Sequence, residues 1–246
     1  RGISAGITGE LYSIEKQFFL GSTKKISKDI PDGEVIDADH LNMSFKSKIL
    51  KDSRGRSFRI SGKGDALIKF KDKSSGIIDY KTSKFKDKKT GKRNKFLEKG
   101  IKEYSLQLHC YDLLFSNLEN DEVFIKKSIT ERYPNWGADA INKHTDNRLQ
   151  KISEINIKKT SLLGLVYVYP EKLIKGDSIL VDFSFSFEKV NYEPQIFMNI
   201  LTDYIENLEK PFPPEIPQKC KDLKEKQHCV MHAFFYEQKK LKNVIK

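Results

Sequence analysis

The run Ile77-Ile78-Asp79-Tyr80-Lys81-Thr82 sets a carboxylate and an ammonium group two residues apart in a segment otherwise suited to burial. Side chains of a strand alternate between faces, so Asp79 and Lys81 project together from one side of whatever sheet this run joins. The Asp72-Lys73-Ser74-Ser75 turn folds the strand, about 76–83, back against a partner at about 64–71. That partner begins beside a third charge, Asp65 of Gly62-Lys63-Gly64-Asp65, 14 residues before Asp79. Asp65 reaches the same face only if residues of equal parity stand opposite each other, 65 facing 79 or 81. A slip of one residue sends it to the other side, unless a bulge near Gly62 or Gly64 corrects the aim.

Upstream, Leu11, Ile14, Phe18 and Phe19 recur at helical intervals over 9–20 and define an apolar face, with Glu10 and Glu15 near its edges. Residues 21–34 read as a loop, followed by strands near 44–51 and 56–61 around the Asp52-Ser53-Arg54-Gly55 turn. A helix is predicted over 100–117, where Ile101, Tyr104, Leu108, Tyr111 and Phe115 repeat every three or four residues. Strands are predicted at 122–130, 161–169 and 178–187, and an irregular or partly helical insertion at 134–158 carries the lone Trp136. Val181, Phe183, Phe185 and Phe187 alternate with polar residues, a pattern for a strand with one packed and one wet face. Ile196, Phe197, Ile200, Tyr204, Ile205 and Leu208 mark a last amphipathic helix over 193–209, closed by a proline-rich stretch. The expected division is a main domain over 1–218 and a basic helical tail over 219–246 packed on it, through Val230, Phe234 and Phe235.

A net charge of +11 is the footprint of a polyanionic partner, nucleic acid before membrane. It is also what a merely soluble lysine-rich protein would show. Ten Lys or Arg residues crowd the stretch 81–102, and the part at about 84–100 reads as a mobile basic loop, either a solvated linker or a strand-gripping flap. Lys84, Lys86, Lys92, Arg93 and Lys95 are its candidate nucleic-acid contacts, and Phe85, Phe96 and Tyr104 add aromatic faces on which bases could stack. No apolar run approaches the roughly 20 residues of a membrane span. The three cysteines fit a reducing intracellular compartment, such as cytoplasm, nucleoid or a DNA-containing organelle. Arg1 in place of Met suggests a chain processed or cut from something longer.

An acid-x-lysine triplet is weak evidence by itself; the chain has four, starting at Asp79, Asp87, Asp222 and Glu237. Only the first sits in an apolar strand, preceded by Gly-x-x-Asp and followed by a helix with Gln107 and Tyr111 one turn apart. Asp65 and Asp79 offer hard oxygen ligands for Mg2+ or Mn2+, with the Tyr80 carbonyl as a further donor. Lys81 would stand beside a bound water and phosphate, orienting the nucleophile, stabilising charge or, if desolvated, taking a proton. The plain alternatives are a turn carboxylate at Asp65, an inert ion pair at Asp79 and Lys81, and an ordinary amphipathic helix.

In this order the motifs resemble the PD-(D/E)XK nuclease superfamily, particularly its RecB-like branch, which includes CRISPR-adaptation nucleases and genome-maintenance exonucleases. The resemblance is carried by about 60–115, and more loosely by a Gly6…Glu10 helix start. It implies an α/β, restriction-endonuclease-like fold, a central mixed sheet flanked by helices, with the C-terminal helical elaboration added. It assigns Asp65, Asp79, Lys81, Gln107 and Tyr111 to the catalytic centre, with Gln107 and Tyr111 orienting Lys81 and the DNA phosphate. It calls for a further acid from an upstream helix, where Glu10 fits best and Glu15 is the reserve. The implied activity is divalent-metal-dependent hydrolysis of DNA, with exonuclease action on single strands or duplex ends favoured. The alternatives are a structure-specific endonuclease module beside other subunits of a repair or defence complex, and an idle nucleic-acid-binding scaffold. Some similar nucleases hold an iron–sulfur cluster on four cysteines; Cys110, Cys220 and Cys229 cannot supply that set. A zinc site from Cys220, His228, Cys229 and His232 has no standard spacing.

Overall fold

The structure, a computed structural model, describes residues 5–38, 44–82, 96–175 and 179–210. The expected basic loop contacts Lys84, Lys86, Lys92, Arg93 and Lys95 lie outside them, as do Cys220, Cys229 and the 219–246 tail.

Helix α1 (Ala5–Phe19) is followed by strand β1 (Gly33–Asp37) and two short ladders: β2 (Phe45–Lys46) with β5 (Ser61–Gly62), and β3 (Leu50–Lys51) with β4 (Ser57–Phe58). The hairpin β6 (Ala66–Phe70) and β7 (Ser75–Thr82) comes next, then α2 (Phe96–Phe115), α3 (Glu122–Arg132) and α4 (Ala138–Ile155). Strands β8 (Thr160–Lys175) and β9 (Ile179–Val190) and helix α5 (Pro194–Glu209) complete the described chain. The main sheet has five strands in the order β1-β6-β7-β8-β9, and only the β7–β8 pair is parallel. The protein is therefore mixed α/β, with a mixed sheet between helices. No helix among the described residues is long and apolar enough to cross a membrane.

Strand β7 lies at the centre of this sheet, and both of its faces are covered. Ile77 packs with Leu67, Leu163 and Leu165 against Leu108, Leu114 and Phe115 of α2, in a cluster that extends to Ile125, Ile129 and Ile152 of α3 and α4. Ile78 and Tyr80 pack on the other side with Ala66, Ile68, Val166 and Val168 against Phe19 of α1. Burial on both sides explains why the strand reads as a continuous apolar run rather than an alternating one.

Several expectations are corrected. The run Val123-Phe124-Ile125 is not a strand but the first turn of α3. Asp121 caps it by accepting the Phe124 N–H at 2.7 Å, and Ile125 and Ile129, one turn apart, face the core. The 134–158 insertion contains the regular helix α4. Strand β1 begins in what reads as loop, because an edge strand of Gly33, Glu34 and Asp37 carries little apolar signal. On α1 the apolar face is misassigned in part: Phe19 is buried as expected, but Ile14 is 63% and Phe18 54% exposed, and Glu15 is buried. Along α5, Ile196, Ile200, Tyr204 and Leu208 are exposed, and Phe197, Thr202 and Ile205 are buried. The Asp52 turn anchors this helix: Asp52 accepts the Arg56 Nε–H at 2.7 Å, and Arg56 Nη2 donates to the Thr202 carbonyl at 2.7 Å.

Candidate active site

The β6–β7 register answers the parity question. Ala66 stands opposite Ile78 and Leu67 opposite Ile77, which continues to Asp65 opposite Asp79. Antiparallel pairing brings the start of β6 to the carboxyl end of β7, so Asp65, Asp79 and Lys81 meet at one rim of the sheet. That rim is also where the parallel pair β7–β8 ends, the position at which open α/β sheets generally bind ligands.

Glycine is needed at 64 by close approach. A Cβ there would stand 2.6 Å from the Phe115 ring, so the chain entering Asp65 lies directly against α2. Asp65 is then held from three sides. Its main-chain carbonyl accepts the Ala38 N–H at 3.1 Å, its Oδ2 the Tyr80 N–H at 2.8 Å, and its Oδ1 the Tyr12 hydroxyl at 2.6 Å. Tyr80, expected to lend a carbonyl, also gives its N–H to Asp65. Its ring lies on the opposite face, stacked on Phe19 with centroids 5.5 Å apart.

Asp79 is 2% exposed and faces α2. Burial, and next the charge of Asp65, push its carboxyl up to about 7, and the Lys81 ammonium opposes the rise. Lys81 Nζ lies 2.5 Å from Asp79 Oδ2 as a close ion pair. Lys81 Nζ also donates to Gln107 Oε1 at 3.2 Å and sits 4.4 Å above the Tyr104 ring. Gln107 Nε2 is 2.6 Å from the Tyr111 hydroxyl and 3.5 Å from Asp79 Oδ1. Burial raises the Tyr111 hydroxyl to about 12, so it stays protonated. Tyr104, Gln107 and Tyr111 form one stripe of α2 that holds the lysine. Solvent reaches the group at half-buried Asp65 and at Lys81, whose side chain is 19% exposed.

The expected residues Asp65, Asp79, Lys81, Gln107 and Tyr111 are thus brought together. Glu10 lies in α1, where its side chain is outside the described residues. Glu15, the reserve, is buried, and burial with the charge of Asp65 raises it to about 7; it accepts a long hydrogen bond, 3.4 Å, from Thr82 Oγ1. Among the described residues no three His, Cys, Asp or Glu side chains group closely enough to hold a metal ion. Among the described side chains, the carboxylate ligands at this rim are the two aspartates. Two neighbouring acids with hard oxygen donors, one of them half-buried at the rim, still fit a hard dication that keeps several waters.

Sequence reasoning missed Tyr12, whose signal is a helical stripe of Tyr12, Glu15 and Phe19, more polar than the apolar face sought. Tyr104, expected as a stacking face for a strand, carries the Lys81 ammonium over its ring. A groove of about 710 Å3 lies at the other end of the strands, lined by Asp29, Asp32, Asp72, Ser74, Ser161 and Phe187 among others. Its lining of three aspartates and two lysines gives no basic surface for a polyanion, and the acid–lysine set is elsewhere. Comparison with protein-family models gives no match for this chain, and comparison with curated proteins gives none either.

Proposed function

We propose that this chain is a divalent-metal-dependent deoxyribonuclease with a restriction-endonuclease-like core, acting as an exonuclease on single-stranded or duplex ends. The observation that carries the reading is the convergence of Asp65, Asp79 and Lys81, from two strands of one hairpin, on a common rim beside Gln107. Asp79 is the most telling member. A buried carboxylate that faces a second acid, and whose one close cation is Lys81, is costly for a protein that does not use it.

Asp65 and Asp79 would hold Mg2+ or Mn2+. When bound, the ion supplies a bound water of lowered pKa and neutralises charge on the scissile phosphate. Gln107 and Tyr104 hold the Lys81 ammonium beside the two acids, which supports a role in stabilising negative charge on a phosphate bound there with little reorganisation. Tyr111 fixes the amide of Gln107 and thereby the direction of its Oε1 toward the lysine. The net charge of +11 supports DNA as the partner, and the preference for ends follows from the RecB-like resemblance.

End-labelled single-stranded DNA and covalently closed circles, each incubated with the protein in EDTA, Mg2+ or Mn2+, test the reading. Loss of linear DNA only with a dication, with circles intact, is the expected result. Cutting of circles would replace the exonuclease by an endonuclease. Binding without cleavage under every condition would leave a scaffold.

A further inference from the structure

Asp65 is the one acid of the centre that reaches around the rim of the sheet. Asp79, Lys81 and Gln107 lie on the α2 side, but the oxygen Oδ1 of Asp65 is held from α1, on the other side, by the Tyr12 hydroxyl at 2.6 Å. An O–H donor to a carboxylate at that distance is a short, charge-assisted bond. The donor is itself well anchored. Tyr12, Glu15, Lys16 and Phe19 share the sheet-facing stripe of α1. Lys16 Nζ sits 4.7 Å above the Tyr12 ring and pairs with Asp37 at 3.0 Å, and Phe19 stacks on Tyr80. With Oδ2 on the Tyr80 N–H, both oxygens of Asp65 have a protein donor, and the remaining lone pairs point in a fixed direction.

We propose that Tyr12 is a positioning residue for the metal-binding carboxylate of Asp65, so that a helix on the far face of the sheet sets the dication affinity of the centre. This rests on the nuclease reading above. Tyr12 touches neither substrate nor ion; it limits the rotation of Asp65 and keeps its free lone pairs turned toward Asp79. Removal of the hydroxyl lets Asp65 explore other rotamers, which weakens capture of the cation and leaves the chemistry of a fully loaded centre largely intact.

The test compares Tyr12→Phe with wild type, full chain in both cases, by Mn2+ binding without DNA (electron paramagnetic resonance of free Mn2+, or calorimetry), cleavage against Mn2+ concentration, and melting in EDTA. The expected result is an Mn2+ dissociation constant raised about tenfold or more, the range typical of partners that orient metal ligands. The half-saturating Mn2+ for cleavage should rise in parallel, with kcat at saturating Mn2+ within about twofold and melting close to wild type. Equal Mn2+ affinity in the two proteins overturns the proposal. So does an unchanged affinity with a lost kcat, which would put Tyr12 in the chemistry itself. If Tyr12→Phe melts early, affinity measured well below its melting temperature decides by the same criterion. Wild type that neither binds Mn2+ nor cleaves overturns the nuclease reading and this inference with it; wild type that does both while Tyr12→Phe matches it overturns only the inference.

Discussion

Replacing Asp79 by asparagine should stabilise the metal-free protein at alkaline pH while abolishing cleavage. Burial and the neighbouring Asp65 raise the carboxyl from an ordinary 3.8 to about 7. The folded protein therefore binds more protons than the unfolded chain between those two values. Stability from this group is complete below about pH 3.8, is lost as pH rises toward 7, and is constant above that. At about 1.4 kcal/mol for each tenfold change in proton affinity, the ionised carboxylate costs up to about 4 kcal/mol at pH 8. Asparagine has the shape of the protonated acid, removes that cost at every pH, and can turn its amide N–H toward Asp65. For a chain of this size the ceiling corresponds to roughly 8–16 °C in melting temperature. The assay is thermal unfolding in EDTA from pH 5 to 8, wild type against Asp79→Asn, with the gap widening toward pH 7. Glu15, raised in the same direction by burial, is present in both proteins and cancels in the difference. Mn2+ at about 100 times its dissociation constant should return about 2.7 kcal/mol to wild type and nothing to the variant. An Asp79→Asn protein less stable than wild type at pH 8 would mean that Lys81 fully compensates the charge. The pair would then be an inert structural ion pair, and the reasoning from burial to metal capture would fall.

Lys81→Ala should lower kcat by about 100- to 1,000-fold, the usual cost of losing a group aimed at developing charge, with DNA affinity in a mobility-shift assay little changed. Gly64→Ala drives a methyl into the Phe115 ring at 2.6 Å and should cost about 1–3 kcal/mol in urea unfolding, with cleavage falling because Asp65 moves with its neighbour. Asp52→Ala removes the acceptor that organises Arg56 under α5 and should speed amide exchange in α5 while leaving the Mn2+ dissociation constant unchanged.

What could be read in advance follows from how local each signal is. The hairpin was legible because an apolar run, a turn and a second apolar run fix the pairing; parity left Asp65 facing 79 or 81, and the observed register sets it across from Asp79. Gln107 and Tyr111 were legible because a spacing of four on a helix gives one face. The misreadings arise where the deciding interaction is distant or polar. Val123-Phe124-Ile125 has strand-like composition, and the Asp121 cap and the burial of Ile125 and Ile129 in the α2 cluster override it. Strand β1 is defined by its pairing with β6 more than by its own residues.

The helix α1 error carries the larger lesson for the site. A search for apolar spacing selects Ile14 and Phe18, which are exposed, puts Glu15 only at the edge of the face, and passes over Tyr12. Hydrophobic burial would favour the apolar stripe against the sheet, so a helix that turns a tyrosine and a glutamate inward gives up some of that energy. Those inward groups meet Asp65 and Thr82, at the sheet end where the acid–lysine set lies. Departure from the folding pattern and proximity to the candidate chemistry therefore coincide in α1, as expected when a local rule is broken for function. The same logic separates Asp79 from a chance acid-x-lysine triplet. Its carboxylate is buried where an apolar side chain would stabilise the strand better, and the group that faces it is a second acid as well as a lysine.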